Sequence, residues 1–255
     1  MAARRSETVQ LTHPAGGTLS GVLALTEASK AVVYVHGFGS HRDGEKAQAM
    51  QAACAARGLG YAAFDFRGHG ASSGTMTELR ASGLLDDLDV IRAALAARGV
   101  TRLYLVGSSM GGFASAWYAQ RRPEAVVALV LLAPAFHFLH GKLFRLDEAE
   151  RARWQATGRH RFRNQWMDAE LGWGLVEECE QFEPERLAAG WRTPTLIFHG
   201  LEDDVVPWQD TLRLVERSPF RQMEVRLWRD GDHRLQGYRA EMAGEACRFF
   251  VGHGV

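Results

Sequence analysis

Long apolar runs are missing from this chain of 255 residues: no stretch approaches the roughly 18 uninterrupted apolar residues of a membrane span. The opening residues Met1-Ala2-Ala3-Arg4-Arg5-Ser6 lack an apolar h-region, so no secretory leader is expected there. Charge imbalance is missing too. Thirty basic and 30 acidic residues cancel, which removes any broad electrostatic reason to expect nucleic acid or an anionic membrane as a partner. Cysteine is scarce: Cys54, Cys179 and Cys247 are odd in number, far apart and without metal-type spacing. That argues against a disulfide framework and fits reduced thiols in a cytoplasmic setting. Lysine is scarcer still, 3 residues against 27 arginines, so clusters of arginine are discounted accordingly. Internal repeats and low-complexity tracts are absent. Function is therefore expected to come from a site on one sizeable core.

What is present is alternation. Glu7 to His13 and Thr18 to Leu25 are short alternating stretches around Pro14-Ala15-Gly16-Gly17, the pattern of a β-hairpin. Ala31 to Val35 is a continuous apolar run suited to a buried parallel strand, and Glu45 to Arg57 is a helical stretch closed by Gly58. The pattern continues with strand Tyr61 to Phe64, a helix from about Gly83 to Arg98, strand Leu103 to Val106, helix Ser109 to Arg121 and strand Val126 to Leu132. Later come strand Thr195 to Phe198, helix Pro207 to Arg217, strand Glu224 to Trp228 and a terminal helix around Tyr238 to Val251. Such alternation implies an α/β protein with a mostly parallel central sheet flanked by helices. Residues 1–134 and 193–255 form the core on this reading. Residues 135–192 interrupt it with Phe136, Phe138, Phe144, Trp154, Trp166 and other large apolar side chains, without an evident strand signal. They are expected to form a small helical lid over the sheet's C-terminal edge, where open α/β sheets place their ligands.

The strongest local signal is Gly107-Ser108-Ser109-Met110-Gly111, a G-x-S-x-G match that follows the strand Leu103 to Val106 and opens a helix. A sharp strand-to-helix turn holds its central residue in strained dihedrals and exposes the Ser109 hydroxyl. It also frees the backbone N–H of Met110 to receive a developing oxyanion. A second donor, the N–H of Phe38, is expected from the glycine-rich loop His36-Gly37-Phe38-Gly39-Ser40. A serine hydroxyl is too weak an acid to attack unaided, so a carboxylate and a base should follow in the order Ser, Asp, His. The segment after Thr195 to Phe198 supplies Asp203 and Asp204, and the turn after Trp228 supplies His233. His36 and His199 are read as structural groups at strand ends.

His36-Gly37-Phe38-Gly39, Asp65 to Ser72, Gly107 to Gly112, Gly200 to Pro207 and Gly231-Asp232-His233 together resemble the α/β-hydrolase superfamily. The resemblance implies the α/β-hydrolase fold and a Ser109, Asp203, His233 triad, with Asp203 chosen over Asp204 because the family's acid usually falls three residues after the glycine that ends the strand. The Asp65 to Ser72 stretch is taken as a structural turn. Val106 to Gly112, Asp203 to Trp208 and Asp232-His233-Arg234 are similar to the ABHD10-like branch, which implies palmitoyl-type thioester hydrolysis. His36 to Lys46 resembles the corresponding loop of bacterial feruloyl and cinnamoyl esterases, which implies an aryl ester. Both readings make the substrate a small-molecule ester or thioester with an apolar acyl part, and neither needs a cofactor.

Weaker signals are read plainly. Arg151, Arg153, Arg159, Arg161 and Arg163 could attract an anionic leaving group, but a solvated helix face is the preferred reading. His137 and His140 have a spacing compatible with a metal but lack a third ligand, so no metal is expected. Phe136, Phe138 and Trp166 are the residues expected to face the acyl group. A peptidase or C–C bond hydrolase would use the same triad, and a ligand-binding protein of the same fold would not need one.

Overall fold

The computed structural model describes residues 6–141, 146–164 and 167–254. Strands β1 (Glu7–Thr12) and β2 (Thr18–Ala24) form the expected hairpin. The β/α alternation follows as β3 (Lys30–Val35), α1 (Glu45–Ala56), β4 (Gly60–Phe64), α2 (Ala81–Ala96), β5 (Arg102–Ser108), α3 (Met110–Arg121) and β6 (Val126–Leu132). The insertion carries α4 (Glu148–Thr157), β7 (Arg159–Asn164), β8 (Met167–Gly172), α5 (Gly174–Glu177) and α6 (Pro184–Ala189). The chain then returns as β9 (Thr195–Gly200), α7 (Trp208–Arg217), β10 (Met223–Trp228) and α8 (Arg239–Gly252). Among the described residues no helix is long and apolar enough to cross a membrane.

Eight strands make one sheet in the order β1-β2-β4-β3-β5-β6-β9-β10, in which β2 pairs antiparallel with both β1 and β4 and the remaining neighbours pair parallel. The central strands are unbroken apolar runs because successive side chains serve opposite faces, each with its own core. Ala31, Val33 and Val35 of β3 join Leu84 and Leu88 of α2 and Phe113 of α3. Val32 and Tyr34 join Met50 of α1 and Met242 and Phe250 of α8 on the other side. The strand order reverses between β3 and β5, so the loop after β3 and the turn after β5 meet at that crevice.

The insertion departs from the expectation of an all-helical lid. Strands β7 and β8 form a separate antiparallel hairpin, Arg159 opposite Gly172 and Asn164 opposite Met167. Of the arginines read as a solvated helix face, Arg151 and Arg153 are exposed on α4, while the other three alternate at period two on β7: Arg159, Arg161 and Arg163 are exposed and Phe162 is buried. Acidic residues of β8 answer them, Arg161 pairing with Asp168 at 2.7 Å and Arg159 with Glu170 at 3.9 Å. Trp154 anchors the unit, its Nε1–H donating to the Leu171 carbonyl at 3.1 Å and its ring edge-on to Phe162 and Trp173. Glu178 fastens the insertion to the body by accepting from the backbone N–H and hydroxyl of Ser82 in α2.

Candidate active site

Ser109 sits between the last residue of β5 and the first of α3 with φ 52° and ψ −114°, a conformation that costs a side-chain-bearing residue about 1–3 kcal/mol. Two glycines make the turn possible. A Cβ at Gly111 would lie 2.1 Å from the Val35 carbonyl oxygen, and one at Gly107 would lie 2.4 Å from that of Gly111. The helix therefore starts in direct contact with β3, and the serine is lifted above the strand ends, half-buried.

His233 lies in the turn after β10 and bridges two groups. Its Nε2 is 3.1 Å from Ser109 Oγ and its Nδ1 is 2.8 Å from Asp203 Oδ2. The structure thus brings together the three residues expected from the sequence, and Asp203 rather than Asp204 is the carboxylate within hydrogen-bond distance of the imidazole. Asp204 is exposed.

Asp203 is held on every side. Oδ1 accepts the backbone N–H groups of Val205 at 2.9 Å and Val206 at 2.7 Å. Oδ2 accepts from His233 Nδ1 and from His199 Nε2, the latter at 3.1 Å. Burial alone would raise this carboxyl, yet the hydrogen bonds from His199, His233 and the Val206 N–H hold it well below the usual carboxylate range. His199 Nε2 also faces the Val206 carbonyl at 3.0 Å, and with two acceptors before it that nitrogen carries the hydrogen. Its Nδ1 then accepts from the buried Thr211 hydroxyl at 2.9 Å. The sequence reading missed this partnership, whose only trace is a histidine four residues before the acid at the end of an apolar strand.

The two N–H groups expected to bind an oxyanion, those of Phe38 and Met110, belong to the loop after β3 and the turn after β5, on the two sides of the crevice. A Cβ on Gly37 would stand 3.3 Å from Ser109 Cβ, so the loop carrying Phe38 passes directly beside the serine. Among the described residues no acceptor bonds the N–H of Phe38 or of Met110. His36 fixes the loop's root, its Nε2 accepting the Phe66 N–H at 3.0 Å and its Nδ1 donating to the Gly37 carbonyl at 2.8 Å. Burial lowers His36 to about 4, which keeps it neutral and structural. Asp65 is likewise a turn-former, accepting from the Arg42 side chain at 2.5 Å and from the Ala71 N–H at 2.9 Å.

Both described residues expected to face the acyl group are buried in the same apolar core. Phe138 packs against Phe38 (ring centroids 6.1 Å apart) and Phe113 (5.7 Å), next to the oxyanion loop. Phe136 is sealed in the core, 1% exposed and edge-on to Trp191, because the chain turns inward directly after Pro134. Trp166 and Phe144 lie outside the described residues. His137 faces Asp210 at 3.5 Å and His140 Nε2 donates to the Cys179 carbonyl at 3.2 Å; no metal-holding cluster occurs among the described residues.

Comparison with known proteins bears on the fold and the family. The family model described as alpha/beta hydrolase fold matches residues 30–159. The mouse mitochondrial palmitoyl-protein thioesterase ABHD10 is 27% identical over 219 residues, 80% of this chain and 69% of that protein. A solved structure from Agrobacterium vitis S4 superposes with a TM-score of 0.85 at 25% identity, over 96% of this chain and 97% of that one. Est1E from Butyrivibrio proteoclasticus with ferulic acid bound gives a TM-score of 0.81 at 19% identity, over 96% of this chain and 98% of its own, a likeness of fold.

Proposed function

The chain belongs to the alpha/beta hydrolase fold family, and on that premise we propose that it is a serine hydrolase cleaving carboxylic ester or thioester bonds of small molecules with an apolar acyl part. One observation carries the proposal: the unbroken hydrogen-bonded line from Ser109 Oγ through His233 to a buried, four-fold hydrogen-bonded Asp203. In this reading His233 Nε2 takes the Ser109 proton as Oγ attacks the acyl carbon. Asp203 keeps Nδ1 protonated and stabilises the imidazolium. The tetrahedral oxyanion accepts from the Phe38 and Met110 N–H groups, and the alcohol or thiol leaves with the proton held by His233. Water then attacks the Ser109 ester, giving its proton to His233, and the acid is released as the serine recovers its hydrogen. No cofactor enters any step.

The apolar acyl part is supported by the Phe38, Phe138 and Phe113 cluster beside the oxyanion loop. The thioesterase relative and the ferulate-bound fold neighbour bracket it chemically, one with a long alkyl chain and the other with an aryl group. The free cysteines support a reducing compartment, and we propose the cytoplasm. The test has two arms. A fluorophosphonate probe should label the wild type and fail on Ser109→Ala, with Ser108→Ala labelled; the reverse order would move the nucleophile. An acyl series of p-nitrophenyl esters, with ferulate ester and acyl thioesters alongside, should show kcat/KM rising severalfold with each added methylene, as about 0.8 kcal/mol of burial per CH2 implies. A profile that peaks at acetate would leave a short-chain esterase.

A further inference from the structure

Lys46 occupies an unfavourable place. It is the second residue of α1, where the positive end of the helix dipole opposes a cation, and the half-buried side chain turns its ammonium onto Ser108. In a chain with 27 arginines, one of the 3 lysines stands here. Its Nζ donates to Ser108 Oγ at 2.9 Å, and Ser108, 4% exposed, is the residue immediately before the nucleophile. The buried Tyr34 hydroxyl of β3 meets Ser108 from within the sheet. The groups facing the ammonium come from the other two catalytic turns: Asp232 and Asp203 favour its charge and Arg234 opposes it. Asp232 and Arg234 flank His233, and Asp232 Oδ1 itself closes that turn by accepting the Leu235 N–H at 2.7 Å. One side chain thus hydrogen-bonds the turn of the nucleophile and interacts through its charge with the turns that carry Asp203 and His233, from the first turn of the helix that follows the oxyanion loop.

Resting on the hydrolase reading, we propose that Lys46 is a positioning residue, which pins the Ser109 turn through Ser108 and holds the His233 turn over it through its charge. Burial lowers Lys46 to about 8, so the cation is lost within an accessible range, whereas an arginine would stay charged.

The experiment compares the pH profiles of the wild type, Lys46→Met and Lys46→Arg, with ester turnover, the rate of fluorophosphonate labelling at Ser109, and Tm as readouts. Lys46→Met should lower kcat and the labelling rate about tenfold at pH 7 with little change in KM. The wild type should lose activity with a midpoint near pH 8 while Lys46→Met shows no such limb, and Lys46→Arg should restore part of kcat without it. Stability separates this from unfolding. A lysine with a depressed folded pKa binds fewer protons in the folded than in the unfolded state between about pH 8 and 10.4, so the Tm of the wild type relative to Lys46→Met should rise across that window while its activity falls. Superimposable profiles, or a loss of kcat that only tracks a lowered Tm, would overturn the proposal alone. A wild type that neither labels nor hydrolyses any ester would overturn the hydrolase reading and this proposal with it.

Discussion

Strands β3 and β7 are each six residues long, and they are built on opposite terms. In β3 Ala31 to Val35 are all buried, because helices cover both faces of the sheet. Among the described side chains of β7, Phe162 alone is buried and three arginines stand in solvent, because its two-stranded ribbon has one side to hide. At the site, the first arrangement surrounds its buried carboxylate with donors, four of them at Asp203. The second tolerates loosely paired charge, Arg161 and Asp168 being well exposed despite their 2.7 Å contact. Chemistry that needs fixed geometry is expected on the first kind of scaffold, and the part of the chain that varies with substrate on the second.

The sharpest test of that contrast lies in the core. Asp203→Asn should reduce kcat by about a thousandfold or more, because it leaves His233 without its orienting acceptor, while Asp204→Asn should stay within a few-fold of wild type. Equal and small losses from both would mean that the buried carboxylate is not the acid. A middling effect is expected in the insertion. Trp154→Ala removes a ring that is 1% exposed and should cost about 3–5 kcal/mol. Limited proteolysis should then cut within residues 146–192 while Ser109 still takes a fluorophosphonate label; simultaneous loss of both would show that sheet and insertion melt as one unit. The smallest effect is expected at the surface, where Arg161→Ala should leave Tm and labelling unchanged within error. A clear fall in Tm would make the hairpin's charge pairing structural.

The same contrast explains what the sequence made legible. The central strands were readable because burial on both faces forces continuous apolar runs, which survive as a one-dimensional signal in Ala31 to Val35 or Val126 to Leu132, and the half-exposed hairpin β1–β2 was readable from its alternation. Ser109 and His233 were readable because a sharp turn demands glycines at fixed spacing and because the expected chain order limits a candidate base to the turn after β10. The choice of Asp203 rested on family habit; physically it follows from the Val205 and Val206 N–H groups that cradle its carboxylate. The β7–β8 hairpin was not read, since Arg-His-Arg-Phe-Arg alternates around only one buried phenylalanine and an arginine-rich composition masks it. His199 and Lys46 escaped for another reason: each works through a partner on a different element, and no spacing along the chain announces such a contact.

Strands β6 and β9 are paired neighbours, Leu129 beside Thr195 and Leu132 beside Phe198, although the chain leaves the sheet after one and wanders through the whole insertion before the other. Closing such an excursion costs entropy that grows only with the logarithm of its length, about 0.6 kcal/mol for each doubling. The excursion could therefore be halved or enlarged with little penalty to the zipper that receives it, provided the register at Leu129 and Thr195 is kept. In folding terms β9, and with it Asp203, can dock only after that long loop closes. Asp203 thus joins Ser109 and His233 late, as a non-local contact, while the Ser109 turn between adjacent β5 and α3 is already in reach from local structure.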